Sequence, residues 1–486
     1  MSRLQPVQES NSESEDLEID EQNFDASPSM VLNRYVPDQL AKLSESKEDP
    51  QDSESESSLE SDAQEVNNIQ EQYHSIQKSV SKQTSKKKPL KLYRQYDNIY
   101  GEITISNYAK TITLHPWFQR LKDIKQLGPL HFKFPHADHS RFNHSIGVAY
   151  LARLAGTVLH SKHRRITDRE ILCLELAGLC HDLGHGPYSH SFDHLLRDIG
   201  FKSITAQHEI RSQILIKHLI EDLPELNISA EEIKLIQYFI DTEKYKLIYP
   251  NEVLPKHTPG LEQIVSNPVH KLDVDKMDYL LRDAQALRFD MTIDGKLDVR
   301  ALLKRSQLVH DKKENRTFWM FHIRDQGMVY DLICRRFIFY NNYYLHPDVN
   351  AINCMLTDAL IIINRVKKYS DCVKLENREQ IEKYIQLTDT FFLEMLMNSD
   401  DDRLAEAREL VKRIVSGKDW YKHLGDFVTN IENLDETSYA ELPWEIFTDK
   451  STPTTLLPKI RYHQNGVPIN PLDVKNTRRL YLKPDA

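Results

Sequence analysis

The apolar and polar positions of this chain fall mostly at helical spacing. From Ile171 to Cys180 the residues are apolar nearly all round, interrupted only by Glu175 and Gly178, the pattern of a helix buried on every side. That run passes directly into His181 and Asp182, with Gly184 expected as the C-cap and Gly186-Pro187 as the stop. Further on, Met277, Leu280, Leu281 and Ala284 recur at i, i+3, i+4 and i+7 and predict the buried face of a helix. Its other side carries Lys276, Tyr279 and Asp283, with Asp275 adjacent. Pro116 at a first turn, followed by Phe118, Leu121 and Ile124, predicts a helix over 114–128 ended by Gly128. The segment 134–159 passes from a polar loop into an amphipathic helix with His144 at its start, and His208 opens another helix. Residues 327–346 predict an aromatic-rich helix that Pro347 ends; a second follows over 349–368, and helical patterning continues through 378–416. Short extended patterns stand at 93–113 and, around an Asn-Gly turn, in KIRYHQNGVPI. The expectation is a mainly α fold with a small β-containing C-terminal piece.

Charge and composition then divide the chain. Residues 1–65 hold 18 Asp/Glu against 4 Lys/Arg, a net of −14, so that of the total −10 the remaining 421 residues carry +4. Acidic stretches nearly free of aromatics cannot bury enough surface to offset chain entropy, and 1–85 is expected to be a disordered acidic tail ending in a basic linker. Ser12, Ser14, Ser53 and Ser55 lie among its acidic residues as candidate phosphorylation sites. SKKKPLK at 85–91 reads equally as a nuclear localisation signal or as the basic end of the linker. The mildly basic remainder suits an anionic ligand and at most weak binding of single-stranded nucleic acid. With no CxxC spacing, the five cysteines read as buried free thiols of a reducing compartment. No apolar run is expected to span a membrane and no signal peptide opens the chain, so a soluble intracellular protein, of nucleus or cytoplasm, is expected.

The chemistry gathers at four potential metal ligands spread along the chain: His144, the adjacent His181 and Asp182, and Asp275. Taken singly each is ordinary, a helix-start histidine or a residue of a salt-bridged helix face. Together, mixed imidazole and carboxylate ligation suits Zn, Fe or Mn, with Mg possible as a second ion. The order His…His-Asp…Asp on separate helices is the pattern of the HD phosphohydrolases. More closely, NHSIGV, AGLCHDLGHGPYSH and DVDKMDYLLRD, with FQRLKDIKQLG and TDTFFLEML, resemble the SAM-and-HD-domain deoxynucleoside triphosphate triphosphohydrolase family over roughly residues 95–480. The SAM domain is not part of the likeness, since an acidic tail stands at the N-terminus.

The resemblance implies an HD-domain helical fold over 93–370, a helical and short-strand region over 371–486 truncated relative to the family, and hydrolysis of a dNTP to a deoxynucleoside and inorganic triphosphate. It implies His144, His181, Asp182 and Asp275 as metal ligands. It implies His185, His190, Asp193 and His208 around the α-phosphate, with His190 paired to Asp193 as general acid. Arg141, Lys276 and Arg336 match phosphate-binding positions. Gln126 and Asp283 match residues holding the sugar 3′-hydroxyl, Leu127 and Tyr344 those excluding a 2′-hydroxyl, and Tyr279 belongs to the same pocket. For regulation, Gln119, Lys122, Arg408 and Lys412 match activator-binding positions. Leu114, Ala301, Asn342 and Pro347 depart from the family where an acidic residue and basic residues are usual. A homo-oligomer, dimer or tetramer, formed through 327–368 is expected, with little dependence on GTP or a different nucleotide activator. Two other readings stand beside this one: another HD-type nucleotide phosphodiesterase or nuclease, and a non-catalytic nucleic-acid-binding regulator.

Overall fold

The computed structural model describes residues 90–289 and 297–421, and the backbone of 462–464 and 467–469. The acidic tail with its serines, all but the end of the 85–91 cluster, and most of the C-terminal region lie outside the described residues.

β1 (Leu92–Asp97) and β2 (Gly101–Ser106) form the expected antiparallel hairpin. Asp97 shapes its turn by accepting the backbone N–H groups of Ile99 and Tyr100, at 2.7 and 3.1 Å. The extended pattern ends sooner than expected, because Ser106 caps a helix, α1 (Asn107–Leu114), by accepting from Ala109 N–H. The helix expected over 114–128 is broken. Only α2 (Pro116–Gln119) is α-helical, and a 3₁₀ turn over Arg120–Asp123 follows. Beyond it the backbone pairs like a strand with 139–141: Gln126 N–H donates to His139 O and Arg141 N–H to Ile124 O. Gly128 then turns at φ +54, where a Cβ would stand 2.6 Å from Tyr188 O.

α3 (Arg141–Lys162) and α4 (Asp168–Cys180) pack side by side at the centre of the core. The two interruptions in the apolar run of α4 have separate causes. A Cβ on Gly178 would stand 3.0 Å from Val148 O, so glycine permits the close approach of the helices. Glu175, fully buried, accepts from Ser106 N–H at 2.7 Å and from Arg153 at 3.2 Å, tying the hairpin to the core. Around this pair lie α5 (His190–Asp198), α6 (His208–Glu221), α7 (Ala230–Ile240), α8 (Thr242–Ile248), α9 (Val274–Ala286) and α10 (Val299–Arg305).

A second hairpin, β3 (Gln307–Asp311) with β4 (Arg316–His322), was not expected from the pattern. β5 (Tyr462–Gln464) pairs parallel to β4 and antiparallel to β6 (Val467–Ile469) across Asn465-Gly466, as that dipeptide predicts. The C-terminal strands are therefore half of a four-stranded sheet. α11 (Gln326–Phe339) continues into a π-helical turn, Tyr340–Tyr344, and α12 (Pro347–Lys367) begins at Pro347. The 378–416 patterning is delivered as three helices, α13 (Arg378–Ile385), α14 (Asp389–Met397) and α15 (Ala405–Ser416), the first two capped by Asn377 and Thr388. Against expectation, one described helix, α12, is long and apolar enough to cross a membrane, with a mean hydropathy of 1.3. Half of that apolar stretch is buried, and its Ile352, Met355, Ala359 and Leu360 belong to the core. The free cysteines are buried as expected, except Cys354, which is partly exposed.

Candidate functional site

Three helices meet where the sequence places its metal ligands. α3 supplies His144 from its first turn, the end of α4 supplies His181 and Asp182, and the first turn of α9 supplies Asp275. His144 Nε2 lies 3.1 Å from Asp275 Oδ1, 3.2 Å from His181 Nε2 and 3.5 Å from Asp182 Oδ2. His181 Nε2 lies 3.4 Å from Asp182 Oδ1 and 3.5 Å from Asp275 Oδ1. Ligand distances of about 2.0–2.2 Å around zinc separate neighbouring donors by about 3.0–3.6 Å, so His144, His181 and Asp275 fit one divalent ion, with Asp182 beside them, its Oδ2 toward His144 and its Oδ1 toward His181.

The outer contacts agree. His144 donates its Nδ1–H to Asp278 at 2.8 Å, and His181 its Nδ1–H to Gly178 O at 2.8 Å, which leaves both Nε2 lone pairs on the shared point. Asp278 is held in turn by Arg282, which also reaches Asp97 of the hairpin at 3.0 Å. Gly147 makes room, since a Cβ there would stand 1.9 Å from Asp278 Oδ1. Burial works against a charge on His144, yet Asp275 and Asp278 outweigh it and push the imidazole up to about 10. The field at this point is strongly negative, as a cation site requires.

Beside it lies a second group. His185 is fully buried between Asp182, 3.3 Å from its Nε2, and the ring of His208, stacked at 3.8 Å. Asp193 Oδ2 accepts from His208 Nδ1 at 2.8 Å, whereas His190 Nδ1 is 3.9 Å away on a side chain 65% exposed. Asp193 thus faces both imidazoles: α6 brings His208 in from behind to the shorter contact, and His190, at the start of α5, stands 3.9 Å off on the exposed side. Arg211 takes the other oxygen of Asp193. Against burial, Arg211 and then His208 hold Asp193 well below the carboxylate range, while Glu209 and Asp193 raise His208.

Gly184 is not the expected left-handed cap. The positive-φ residues of this turn are Tyr188 (φ 56) and Ser189 (φ 58), while a Cβ on Gly184 would stand 2.3 Å from His208 O. Its glycine serves the close passage of α6.

Of the expected substrate-binding residues, Arg141 is buried and bonded to Asp182, to Ser189 Oγ at 2.8 Å and to Gln126 O at 3.1 Å. Burial would raise Asp182, but Arg141, followed by His181 and His185, holds it well down. Lys276 Nζ sits 2.9 Å from Asp273 and 3.8 Å from Asp275. Arg336 lies over the Tyr340 ring at 4.6 Å, and with Tyr340 and Lys276 it contributes to the field at Tyr279. Asp283 accepts from Tyr344 OH and stands 2.8 Å from His139 Nε2, so the two expected sugar residues meet. Leu127 and Tyr344 pack on the same apolar cluster, around Leu130, Ala137 and Val349. Gln126 is buried with its Oε1 unpartnered. Sequence reasoning missed Asp278, Arg282, Arg211 and His139. The i, i+4 spacing of Asp278 and Arg282 on α9 could mark an ion pair, but nothing local shows that the pair is buried.

The expected activator residues are partly committed within the chain. Gln119 donates to Thr113 O, Lys122 lies 5.0 Å from the Phe142 ring, and Arg408 donates to Ser399 O at 2.7 Å and Asp401 O at 3.1 Å. Lys412 is exposed.

Comparison with known proteins places this geometry. The HD domain family matches residues 141–283. The chain is 33% identical over 384 residues to the deoxynucleoside triphosphate triphosphohydrolase SAMHD1 of Bos taurus, covering 74% of this chain and 63% of that protein. It is 35% identical over 361 residues to that of Gallus gallus, covering 70% and 57%. To the SAMHD1 homolog of Dictyostelium discoideum it is 30% identical over 340 residues, covering 70% and 61%. The chain therefore spans about three fifths of the length of these relatives.

Proposed function

We propose that this chain, an HD-domain protein resembling the deoxynucleoside triphosphate triphosphohydrolases, hydrolyses dNTPs, dGTP among them, to a deoxynucleoside and inorganic triphosphate. The observation that carries the reading is the juxtaposition of a three-donor cluster with Asp182 beside it, a carboxylate-held imidazole pair and the Asp283–Tyr344 pair in one region. Zn, Fe or Mn held by His144, His181, Asp182 and Asp275 would supply Lewis acidity toward a phosphoryl oxygen. The chain's own residues do the rest. His208, raised by its carboxylate neighbours, holds a proton, and His190, with its ring 5.3 Å from that of His208, delivers one to the leaving 5′-oxygen. Lys276 and Arg336 neutralise the triphosphate, while Arg141 keeps Asp182 ionised and oriented. Asp283 and Gln126 bind the 3′-hydroxyl, and Tyr344 and Leu127 fill the space a 2′-hydroxyl needs.

Assembly into a homo-oligomer through the α11 and α12 region, little dependence on GTP or a different nucleotide activator, and action on nuclear or cytoplasmic dNTP pools belong to the same reading. Incubating the full chain with each dNTP and a divalent metal, and resolving the products, tests it. Inorganic triphosphate is expected; pyrophosphate or monophosphate as the product would sink the reading.

A further inference from the structure

The catalytic turn is held from a place the HD domain does not reach. Residues 384–390, on α13, α14 and the link between them, follow the matched HD segment by some hundred residues, yet bond to the backbone of both loops that build the site. Tyr384 OH donates to Gly184 O at 2.7 Å, and Arg211 Nε donates to the same carbonyl at 2.8 Å. The buried Arg120 guanidinium reaches Leu183 O at 3.0 Å, His185 O at 2.5 Å and Leu387 O at 3.3 Å, joining the turn to the link.

Asp389 completes the arrangement. One of its oxygens accepts Tyr188 N–H at 2.6 Å and the other Lys125 N–H at 2.9 Å. Thr390 answers in the opposite direction, donating its hydroxyl to Asp123 at 2.6 Å. Tyr188 and Ser189 are successive non-glycine residues at positive φ, a conformation that persists only when its surroundings over-determine it. From there the connections run to the reacting groups. Ser189 Oγ receives Arg141 Nε–H and donates to Lys125 O, Arg141 orients Asp182, and His190 follows Ser189 directly.

We propose that Asp389 is a positioning residue, whose two carboxylate oxygens lock the Lys125–Gly128 segment and the Tyr188–His190 turn into the geometry that catalysis needs. The carboxylate is a costly choice, since burial lifts it to about 7 even against the two N–H groups it accepts. An apolar side chain would pack there without that cost, and none would supply two acceptors at once.

As a catalytic claim this rests on the triphosphohydrolase reading, so the test has an arm that does not. In Asp389→Asn an amide N–H₂ meets one of the two backbone N–H groups, with almost no change of volume. Amide exchange, followed by mass spectrometry on the full chain, is expected to quicken about tenfold or more in peptides covering 123–128 and 186–190, and nowhere else. In dNTP hydrolysis, kcat is expected to fall about ten- to a hundredfold, with bound metal and KM close to wild type. Asp389→Glu, which keeps both acceptors, should recover part of that loss. Wild-type exchange in both segments overturns the proposal. So does exchange that rises evenly over the chain, with kcat lost only in proportion to unfolded protein. Should wild-type protein release no triphosphate from any dNTP, the functional reading falls, while the exchange arm still decides whether Asp389 braces the two loops.

Discussion

Two groups of imidazoles flank Asp182, and they are wired for different work. In the first, His144 and His181 each hand Nδ1–H to an oxygen behind them and turn Nε2 toward Asp182 and Asp275. Each carboxylate there has a cation on its far side, Arg141 on Asp182 and Lys276 Nζ 3.8 Å from Asp275. In the second, Asp193 is already matched by the buried Arg211 and by His208, which Glu209 also faces at 3.6 Å. By spacing alone either group has donors close enough for a metal. By orientation the two differ: the first turns two Nε2 atoms and a carboxylate to one shared point, while the second couples its imidazoles to one another and to Asp193, the arrangement that the proposed proton transfer uses. A second ion such as Mg would therefore need substrate oxygens to complete its site.

The widest break in this comparison comes from removing a donor of the first group. His181→Ala or Asp182→Ala should abolish bound metal and turnover while the helical circular dichroism persists. Partners behind metal ligands typically cost about 10- to 100-fold in affinity when removed, so a ligand itself must cost more. Metal analysis after dialysis checks this, and full activity of either variant in metal-depleted form would contradict it.

The second group should answer to pH. His208 is raised, so its contribution to stability is present below its unfolded value and is lost as pH rises through the folded one. Asp193 is depressed, so its contribution is present above its unfolded value and is lost as pH falls through the folded one. The charged pair is complete between these limits, and kcat should fall on the alkaline side as His208 loses its proton. His208→Asn should remove that limb and cost about a hundredfold or more, with metal content unchanged. A wild-type profile level on the alkaline side would leave the proton assignment without support.

Between these two lies Asp278, which shows what the sequence could and could not disclose. The expected metal ligands stood out because imidazoles beside carboxylates at the end of an apolar helix are too costly to bury for the sake of packing alone. Asp278 was not, because helical periodicity places it between the apolar positions Met277 and Leu280, and only the approach of α3 at Gly147 reveals that it is fully buried. The broken 114–128 helix failed for a similar reason, since the strand-like pairing with 139–141 is a long-range contact that no local pattern encodes. Asp389 reads locally as an ordinary acidic residue at a helix start; its partners lie more than two hundred residues away. Against burial, Arg282 and His144 hold Asp278 at about 2, so Asp278→Asn should weaken metal binding about 10- to 100-fold. It should also destabilise the fold by about 1–3 kcal/mol, because the buried Arg282 keeps only Asp97 as a carboxylate partner. Calorimetric unfolding with and without metal separates the two effects.

The smallest effect is expected farthest from either group, on α15, where Arg408 and Lys412 look equivalent in sequence and are not in structure. Arg408 spends its guanidinium on the carbonyls of Ser399 and Asp401, closing the turn that leads into α15. Lys412, one helical turn on, is exposed. Hydrogen bonds from a charged donor contribute about 1.5–3 kcal/mol when buried. Arg408 is only partly so, and about 1 kcal/mol is the reasonable expectation for Arg408→Ala, against less than about 0.5 for Lys412→Ala. If the pair instead reaches an activator's phosphates, both substitutions should weaken nucleotide-dependent activation alike and leave the basal melting temperature untouched. Measuring melting temperature and dNTP hydrolysis with and without each added nucleoside triphosphate, GTP included, for both variants distinguishes these outcomes. An unequal pair, with Arg408→Ala less stable and Lys412→Ala unchanged in stability, would show that Arg408 acts first as the clasp of its own turn. Any role in reaching a nucleotide would then require Arg408 to leave two carbonyls behind, a cost that Lys412 does not face.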